Sequence, residues 1–256
     1  MQVVRELAAT QPYRLTIDPV LRERLMIAAG TGAGLGASIA AATPKPHGST
    51  SRDIAIAATN AYLPTPESTR DELAWMHRIA STRTPDGIAA AAWLSDSATE
   101  AMIESGLREY ERIAGPDQAR RGAKLLEDVV SYAEHMGRDM KKSVRRDRPF
   151  VTDPTLPVVI TRPPTDNYSF PSGHATAAFA AAAVLGALVP AQRDAFLETA
   201  MQIAFARTYG GVHYPSDIVA GASLGMAAAT AAMVWRSRGK DLPKPHAAHI
   251  VQLPAA

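Results

Sequence analysis

The stretch Pro171-Ser172-Gly173-His174, followed by the alanine-rich run Ala175–Ala183, most constrains what this chain can fold into. A proline and a serine before a long apolar segment predict a loop that enters a helix, with Ser172 as the N-cap. The first turn of a helix carries unpaired backbone N–H groups and a partial positive charge, so it suits a phosphate-like anion. His174 would lie at the edge of that anion, where an imidazole can transfer a proton near neutral pH. An ordinary capped helix with an incidental histidine fits this stretch as well.

A basic run lies upstream of this stretch. Lys141 and Arg148 are seven residues apart, and Pro149 follows directly. Seven residues make nearly two helical turns, so both side chains share one face if the helix continues that far. Of Arg145 and Arg146, one is expected to pair with an acidic neighbour. Taken alone, such a run is typical of a solvated basic face.

A third stretch lies downstream. Arg207 is followed after five residues by His213, and three further residues separate His213 from Asp217. Pro215 excludes a helix through this segment, and Ser216 is expected to cap a helix that starts at Asp217. The aspartate would then lie in a first turn, where it can reach back to His213.

The three stretches together resemble the signature of the type 2 phosphatidic acid phosphatase superfamily. The first motif is a lysine, six residues and Arg-Pro, and the second is Pro-Ser-Gly-His. The third is an arginine, five residues, a histidine, three residues and an aspartate. The resemblance spans roughly residues 120 to 235. This superfamily includes bacterial class A acid phosphatases, membrane lipid phosphatases and vanadium-dependent haloperoxidases. Ala206 departs from the pattern, because the family usually has serine before the arginine. The departure removes one hydroxyl contact to the anion and leaves every charged position intact.

The residue types define roles in phosphoryl transfer, which depends on positioning and on stabilisation of negative charge. His213, oriented by Asp217, is the expected nucleophile and would form a phosphohistidine. His174 would protonate the leaving oxygen and then activate water. The resemblance implies the same assignments. The groups expected to bind phosphate are Lys141, Arg148, Ser172, Gly173 and Arg207.

No metal or cofactor is expected, because the sequence shows no clustered set of carboxylates or histidines and the cations can stabilise the charge. Vanadate would be a cofactor only in a haloperoxidase, and it is expected to inhibit a phosphatase. The chain has no cysteine, which excludes disulfides, a thiol nucleophile and Cys-based metal sites.

Length and composition predict one all-α domain, since 256 residues can bury a sizeable core and the many alanines favour helices. The resemblance implies a helical bundle of the acid phosphatase and haloperoxidase type. We assign residues 51–240 to this domain, 1–50 to an N-terminal segment and 241–256 to an extended tail. The 27 basic and 25 acidic residues are too evenly balanced for a nucleic-acid surface.

The part of the domain before the motifs is expected to be a helical scaffold. Ser68 with Asp71 predicts a helix start, and a second periodic segment covers about Gly87 to Ile113. From Pro116 the apolar residues recur at helical spacing, which predicts a long amphipathic helix.

The N-terminal segment resembles a secretory signal. Arg22 and Arg24 precede an apolar run, Leu25–Ala42, that ends in small residues. We therefore expect an exported protein, periplasmic or extracellular, with a cytoplasmic protein as the alternative. A membrane anchor is the other interpretation of this run.

Three functions compete. The first is a soluble, metal-independent phosphomonoesterase resembling class A acid phosphatases, acting on a small phosphorylated substrate. The second is a membrane lipid-phosphate or pyrophosphate phosphatase, whose usual six spans would need about 120 strongly apolar residues. The mean hydropathy of −0.08 argues against it. The third is a vanadium-dependent haloperoxidase, although such enzymes tend to be much longer.

A peripheral contact with lipid and a homodimer are further expected associations, since dimerisation is common in the family.

Overall fold

The structure is a computed structural model that describes residues 14–44, 46–163 and 167–242. Over these residues the chain forms helices and no strand, which confirms the all-α prediction. Most of the predicted tail, from residue 243 onward, lies outside them. The helices are α1 (Pro19–Ala42), α2 (Gly48–Thr59), α3 (Pro66–Ser81), α4 (Pro85–Asp96), α5 (Ala98–Ala114), α6 (Pro116–Val144), α7 (Pro149–Thr152), α8 (Gly173–Leu188), α9 (Arg193–Tyr209) and α10 (Pro215–Ser237).

Helix α10 forms the centre of the bundle and packs mainly against α1 and α8. Its alanines and glycines are almost all buried, which lets neighbouring backbones approach closely. A Cβ at Gly225 would lie 2.4 Å from the carbonyl oxygen of Thr176 on α8, so only glycine fits there. At the start of both helices, the N–H of Ser172 donates to the carbonyl of Asp217 at 2.9 Å. The two predicted motifs that open α8 and α10 are therefore side by side.

Helix α1 lies along the opposite side of α10. A Cβ at Gly32 would come 2.1 Å from the carbonyl oxygen of Ser223, so this contact also requires glycine. The outward face of α1 carries Met26 and Ile27, which are 45% and 58% exposed. In the folded chain this run is part of the bundle, while its interpretation as a signal or an anchor stays a prediction.

Helix α3 begins earlier than the sequence pattern predicted. Thr65 is its N-cap: the Thr65 hydroxyl accepts from the N–H of Ser68 at 3.1 Å, and the Ser68 hydroxyl accepts from the N–H of Thr65 at 2.9 Å. Placing the start at Ser68 and Asp71 was therefore wrong. Pro66 gives the stronger signal, because its fixed φ and missing N–H suit the first helical position.

The periodic segment from about Gly87 to Ile113 is two helices, α4 and α5. They meet at Ser97, where φ is −132° and ψ is −22°. No proline or glycine marks this break, so the periodicity hid it. The break leaves Ser95 and Asp96 in the last turn of α4, next to the cluster described below.

Helix α6 stops at Val144, before it reaches Arg148. Arg145 adopts the left-handed conformation, with φ 51°, and its N–H donates to the carbonyl of Lys141 at 3.0 Å. The expectation that Lys141 and Arg148 share a helix face was therefore wrong. Lys141 lies in the last turn of α6, and Arg148 lies beyond it as the N-cap of α7.

Candidate active site

Most of the predicted charged residues meet where α8 and α10 begin and α6 and α9 end. They are close enough for their charges to perturb one another, as the pKa values of Lys141, His174 and His213 show. The structure thus brings together side chains from four separate parts of the sequence. The residues of this cluster are Lys141, Arg148, His174, Arg207, His213 and Asp217.

Asp217 lies beside the ring of His213, although the helix start differs from the prediction. Helix α10 begins at Pro215 with Tyr214 as its N-cap, so the prediction that Ser216 caps this helix was wrong. Oδ2 of Asp217 accepts from the N–H of Tyr214 at 2.9 Å and lies 3.2 Å from Nδ1 of His213. An ionised carboxylate only accepts hydrogen bonds, so Nδ1 carries the proton.

The other ring nitrogen of His213 faces a cation. Nη1 of Arg148 lies 3.1 Å from Nε2 of His213, and a guanidinium can only donate. Nε2 must therefore present its lone pair. Burial, reinforced by the charge of Arg148, holds the pKa of His213 well below its ordinary value. A neutral imidazole with a fixed tautomer and an unprotonated Nε2 is what a nitrogen nucleophile requires.

Asp217 has a second partner, Arg146. Oδ1 of Asp217 accepts from Nη1 of Arg146 at 2.7 Å, and the carboxylate is fully buried. Burial would raise the pKa of Asp217, but the charge of Arg146 and the hydrogen bond with His213 outweigh it and hold this pKa at about 2. The carboxylate is therefore ionised throughout the pH range in which phosphatases are assayed.

Arg207 is a buried cation whose guanidinium makes no hydrogen bond or ion pair with any residue that the structure describes, and its Nε is fully enclosed. Burial lowers the pKa of Arg207 to about 10, and the nearby charge of Asp96 opposes this shift. A buried charge without a hydrogen-bond partner is unfavourable. The donors of Arg207 are therefore available to an anion.

Lys141 is tied to the loop before α8. Its Nζ donates to the backbone carbonyls of Tyr168 and Ser169. Burial, together with the charges of Arg148 and Arg207, lowers the pKa of Lys141 to about 7. Without a bound anion, Lys141 is therefore only partly charged at neutral pH.

We expect sulfate affinity to fall as the pH rises through about 7, because Lys141 attracts an anion only in its protonated form. Sulfate suits the calorimetric titration because its own charge stays constant over this range. Lys141→Met should bind sulfate more weakly and should lose the part of the pH dependence that Lys141 contributes at about pH 7, leaving the part that His174 contributes. Lys142→Met, at the exposed neighbouring position, is the matched control and should behave as wild type. An unchanged pH dependence in Lys141→Met would contradict the assignment.

The start of α8 adds backbone donors. Helix α8 begins at Gly173 with Ser172 as N-cap, as predicted, and the Ser172 hydroxyl accepts from the N–H of Ala175 at 3.4 Å. The N–H groups of Gly173 and His174 precede the first intrahelical bond and have no partner in the helix. A Cβ at Gly173 would meet no atom within 4 Å, so the backbone is open on that side. Phosphate binding by Ser172 and Gly173 stays a prediction.

His174 lies at the open side of the cluster. The side chain of His174 is exposed to solvent, but protein atoms surround much of the ring. The resulting desolvation, together with the charges of Arg207 and Arg148, lowers the pKa of His174 to about 4. A bound dianion would offset those charges and favour the protonated ring that a general acid needs. The backbone of Ser95 lies near the ring and opposes this lowering of the His174 pKa. Sequence reasoning missed Ser95 because nothing in this periodic segment indicated a helix end at Asp96.

The comparison with known sequences covers all three motifs. Residues 128–241 match the PAP2 superfamily model. The chain is 44% identical over 57 residues to the lipid A 1-phosphatase of Rhizobium etli, covering 22% of this chain and 25% of that protein. It is 40% identical over 86 residues to the decaprenylphosphoryl-5-phosphoribose phosphatase of Mycobacterium tuberculosis, covering 34% and 45%. The chain thus spans less than half the length of these relatives.

The fold resembles a crystal structure described as a transmembrane PAP2 type phosphatidylglycerolphosphate phosphatase from Bacillus subtilis. The TM-score is 0.52 at 17% sequence identity, over 70% of this chain and 91% of that chain. At this identity the likeness concerns the fold alone.

Proposed function

Since residues 128–241 of this chain belong to the PAP2 superfamily, we propose that it is a phosphatase that cleaves phosphate monoesters of lipids at a membrane surface, without a metal and through a phosphohistidine. The observation that carries the proposal is a neutral His213, held by Asp217, among unpaired or partly paired cations. Such a cluster offers a nucleophile together with the positive charge that a phosphoryl group needs in transfer.

The reaction follows from the positions of these groups. Arg148, Arg207 and Lys141, with the N–H of Gly173, bind the phosphate oxygens. Nε2 of His213 attacks phosphorus, and the N–P bond forms as the P–O bond to the alcohol breaks.

His174 completes both half-reactions. It donates its proton to the leaving alkoxide in the first. In the second it takes a proton from water, whose oxygen attacks the phosphohistidine. The N–P bond breaks, phosphate leaves and His213 regains its lone pair.

The choice of a lipid substrate rests first on the relatives. Their printed names describe phosphatases of lipid A and of a decaprenyl-linked phosphate. The similar fold is described as a transmembrane phosphatidylglycerolphosphate phosphatase. These comparisons support the lipid-phosphate alternative better than the soluble acid phosphatase that we expected first.

Helix α1 also supports a lipid surface. By length and composition, α1 and α10 are the two described helices that could each cross a membrane. The most apolar part of α10 is 83% buried, as in a core helix, whereas that of α1 is only 33% buried. From Met26 to Ala42 the sequence of α1 has no charged residue. We propose that this exposed face rests on lipid.

The test compares two substrates of the purified protein in EDTA: phosphatidic acid in vesicles and p-nitrophenyl phosphate in solution. We expect metal-independent release of phosphate from both, with the higher kcat/KM for the vesicles. Turnover of the aryl ester alone would overturn the lipid substrate. Absence of turnover with either would overturn the phosphatase.

A variant of α1 separates the membrane contact from the chemistry. Met26→Gln/Ile27→Gln should lower kcat/KM on vesicles by about 10- to 100-fold, because two apolar side chains no longer enter lipid. Hydrolysis of p-nitrophenyl phosphate should not change. Ile113→Gln is the matched control, since Ile113 is 56% exposed and lies on α5.

A further inference from the structure

A buried row of charges stands behind the nucleophile. The guanidinium of Arg146 bridges two carboxylates: Nη1 donates to Oδ1 of Asp217 at 2.7 Å, and Nη2 donates to Oε2 of Glu72 at 2.8 Å. Its central carbon lies 3.6 Å from the ring centroid of Tyr214, so the guanidinium is stacked as well as hydrogen-bonded. Nη1 and Nη2 also donate to the hydroxyls of Ser216 and Thr69, at 2.8 and 3.2 Å, so five groups hold Arg146 in one position.

Glu72 is fixed just as firmly. Its Oε1 accepts from the backbone N–H of Ser216 at 2.6 Å, and its Oε2 accepts from the Ser216 hydroxyl at 2.9 Å. These contacts join α3 to the first turn of α10. Glu72 lies outside the residues 128–241 that match the superfamily model.

We propose that Glu72 and Arg146 are positioning residues that set how much of the negative charge of Asp217 acts on His213. In order, the row consists of the carboxylate of Glu72, the guanidinium of Arg146, the carboxylate of Asp217 and the neutral imidazole of His213. The inference deepens the proposed function, since it rests on His213 as the nucleophile.

The two residues act on the imidazole in opposite directions. Arg146 offsets part of the charge of Asp217, so it disfavours a proton on Nε2 of His213. Glu72 in turn offsets part of the charge of Arg146, which keeps the imidazole basic enough to attack phosphorus. A protonated ring has no lone pair, and a ring of very low basicity is a weak nucleophile.

Other charged groups face His213 from the remaining sides. Arg148 and Lys141 both disfavour its protonation, and Asp217 favours it. Arg207 on α9 and His174 on α8 belong to the same cluster, since the charge of Arg207 lowers the pKa of His174. None of these groups is altered in the variants below. Because the charge of Asp217 also acts on Lys141, the ionisation of His213 is read from the NMR spectra rather than from kinetics alone.

Arg146→Gln is the first test. With the charge of Asp217 no longer offset, His213 should gain a proton near neutral pH. The kcat/KM for p-nitrophenyl phosphate should fall by about 10- to 100-fold at pH 6 and return to within a few-fold of wild type at about pH 8.5. Histidine ¹⁵N NMR should show the His213 ring titrating in this range, whereas the wild-type ring stays neutral.

Glu72→Gln should give the opposite signature. His213 should remain neutral at every pH, and kcat should fall by about the same factor at all pH values because the imidazole is less basic. The KM should not change, since Glu72 does not touch the anion site.

Two further variants guard against misfolding. Glu72→Gln/Arg146→Gln removes both charges, so it leaves no unpaired buried ion between α3 and α10 and should keep the titration of Arg146→Gln. Arg146→Lys keeps the charge without the planar fork and should restore only part of the activity. Arg145→Gln, at the exposed neighbouring position, is the matched control and should follow the wild-type profile.

If Glu72 and Arg146 had a purely structural role, Arg146→Gln and Glu72→Gln would both lower Tm and kcat, and the loss of activity would depend on pH in the same way in both variants. Identical His213 spectra in wild type, Arg146→Gln and the double variant would overturn the proposal. Failure of the proposed function looks different: the spectra would shift as expected, but wild type would release no phosphate.

Discussion

Replacing His213 with glutamine is expected to lower kcat for p-nitrophenyl phosphate by at least about 10⁴-fold, because the variant loses the lone pair that attacks phosphorus. Glutamine suits the buried position, since its amide N–H can still donate to Asp217. The residual rate would come from charge stabilisation alone. Steady-state release of phosphate from wild type and variant measures the effect.

Trapping the intermediate makes this test specific. Wild type quenched in alkali after mixing with ³²P-labelled substrate should carry label that is stable to base and labile to acid, as a P–N bond is. The variant His213→Gln should carry none. His77 provides the matched control, because its Nε2 contacts Asp153 at 2.7 Å in a second histidine–aspartate pair. His77→Gln should keep both label and turnover. A labelled His213→Gln would place the nucleophile elsewhere.

Replacing Arg207 with methionine is expected to lower kcat by about 10² to 10³-fold, the usual loss for one preorganised donor to the transition state. The same substitution should raise Tm by a few degrees. Methionine removes a buried charge whose guanidinium has no hydrogen-bond partner among the described residues, so folding no longer includes its desolvation. Enzyme kinetics and calorimetry on one preparation measure both effects.

Arg236 is the matched control for this second experiment. It lies on α10 and is paired with Asp128 and Asp241, at 2.8 and 2.9 Å. Arg236→Met should leave kcat unchanged and should not raise Tm, because its charge is partly solvated and has partners. Unchanged turnover in Arg207→Met would exclude Arg207 from phosphate binding. A lowered Tm would show that its contacts stabilise the fold.

The part of the site that follows from residue type and spacing alone is the part held together by short-range geometry, whereas the grouping of the distant cations was predicted from the family resemblance. His213 and Asp217 are four residues apart, so a proline-started helix turn brings them together whatever surrounds them. Ser172 caps α8 for the same reason. Both features follow from residue type and spacing over a single turn.

The missed part depends on contacts between distant segments. Glu72 and Arg146 are 74 residues apart, and no pattern in either stretch indicates the other. The left-handed Arg145 could not be predicted either, because arginine has no preference for that conformation. Its backbone adopts it where the next residue is anchored by Glu72 and Asp217.

The membrane question shows a limit of average properties. The mean hydropathy of −0.08 includes the charged outer faces of α5 and α6 as well as α1. One exposed apolar face of a single helix hardly changes such an average. The apolar face of α1 becomes visible only when the structure separates it from the side that packs on α10.

The hydrogen bond from the N–H of Ser172 to the carbonyl of Asp217 has a consequence for folding. It closes only after α8 and α10 have docked, and the contacts of Arg146 require α3 as well. Pairings between distant segments form late, after local helices. A chain whose helices have formed without docking lacks the proposed phosphate site. The proposed hydrolysis therefore requires the last long-range contacts of the fold to be in place.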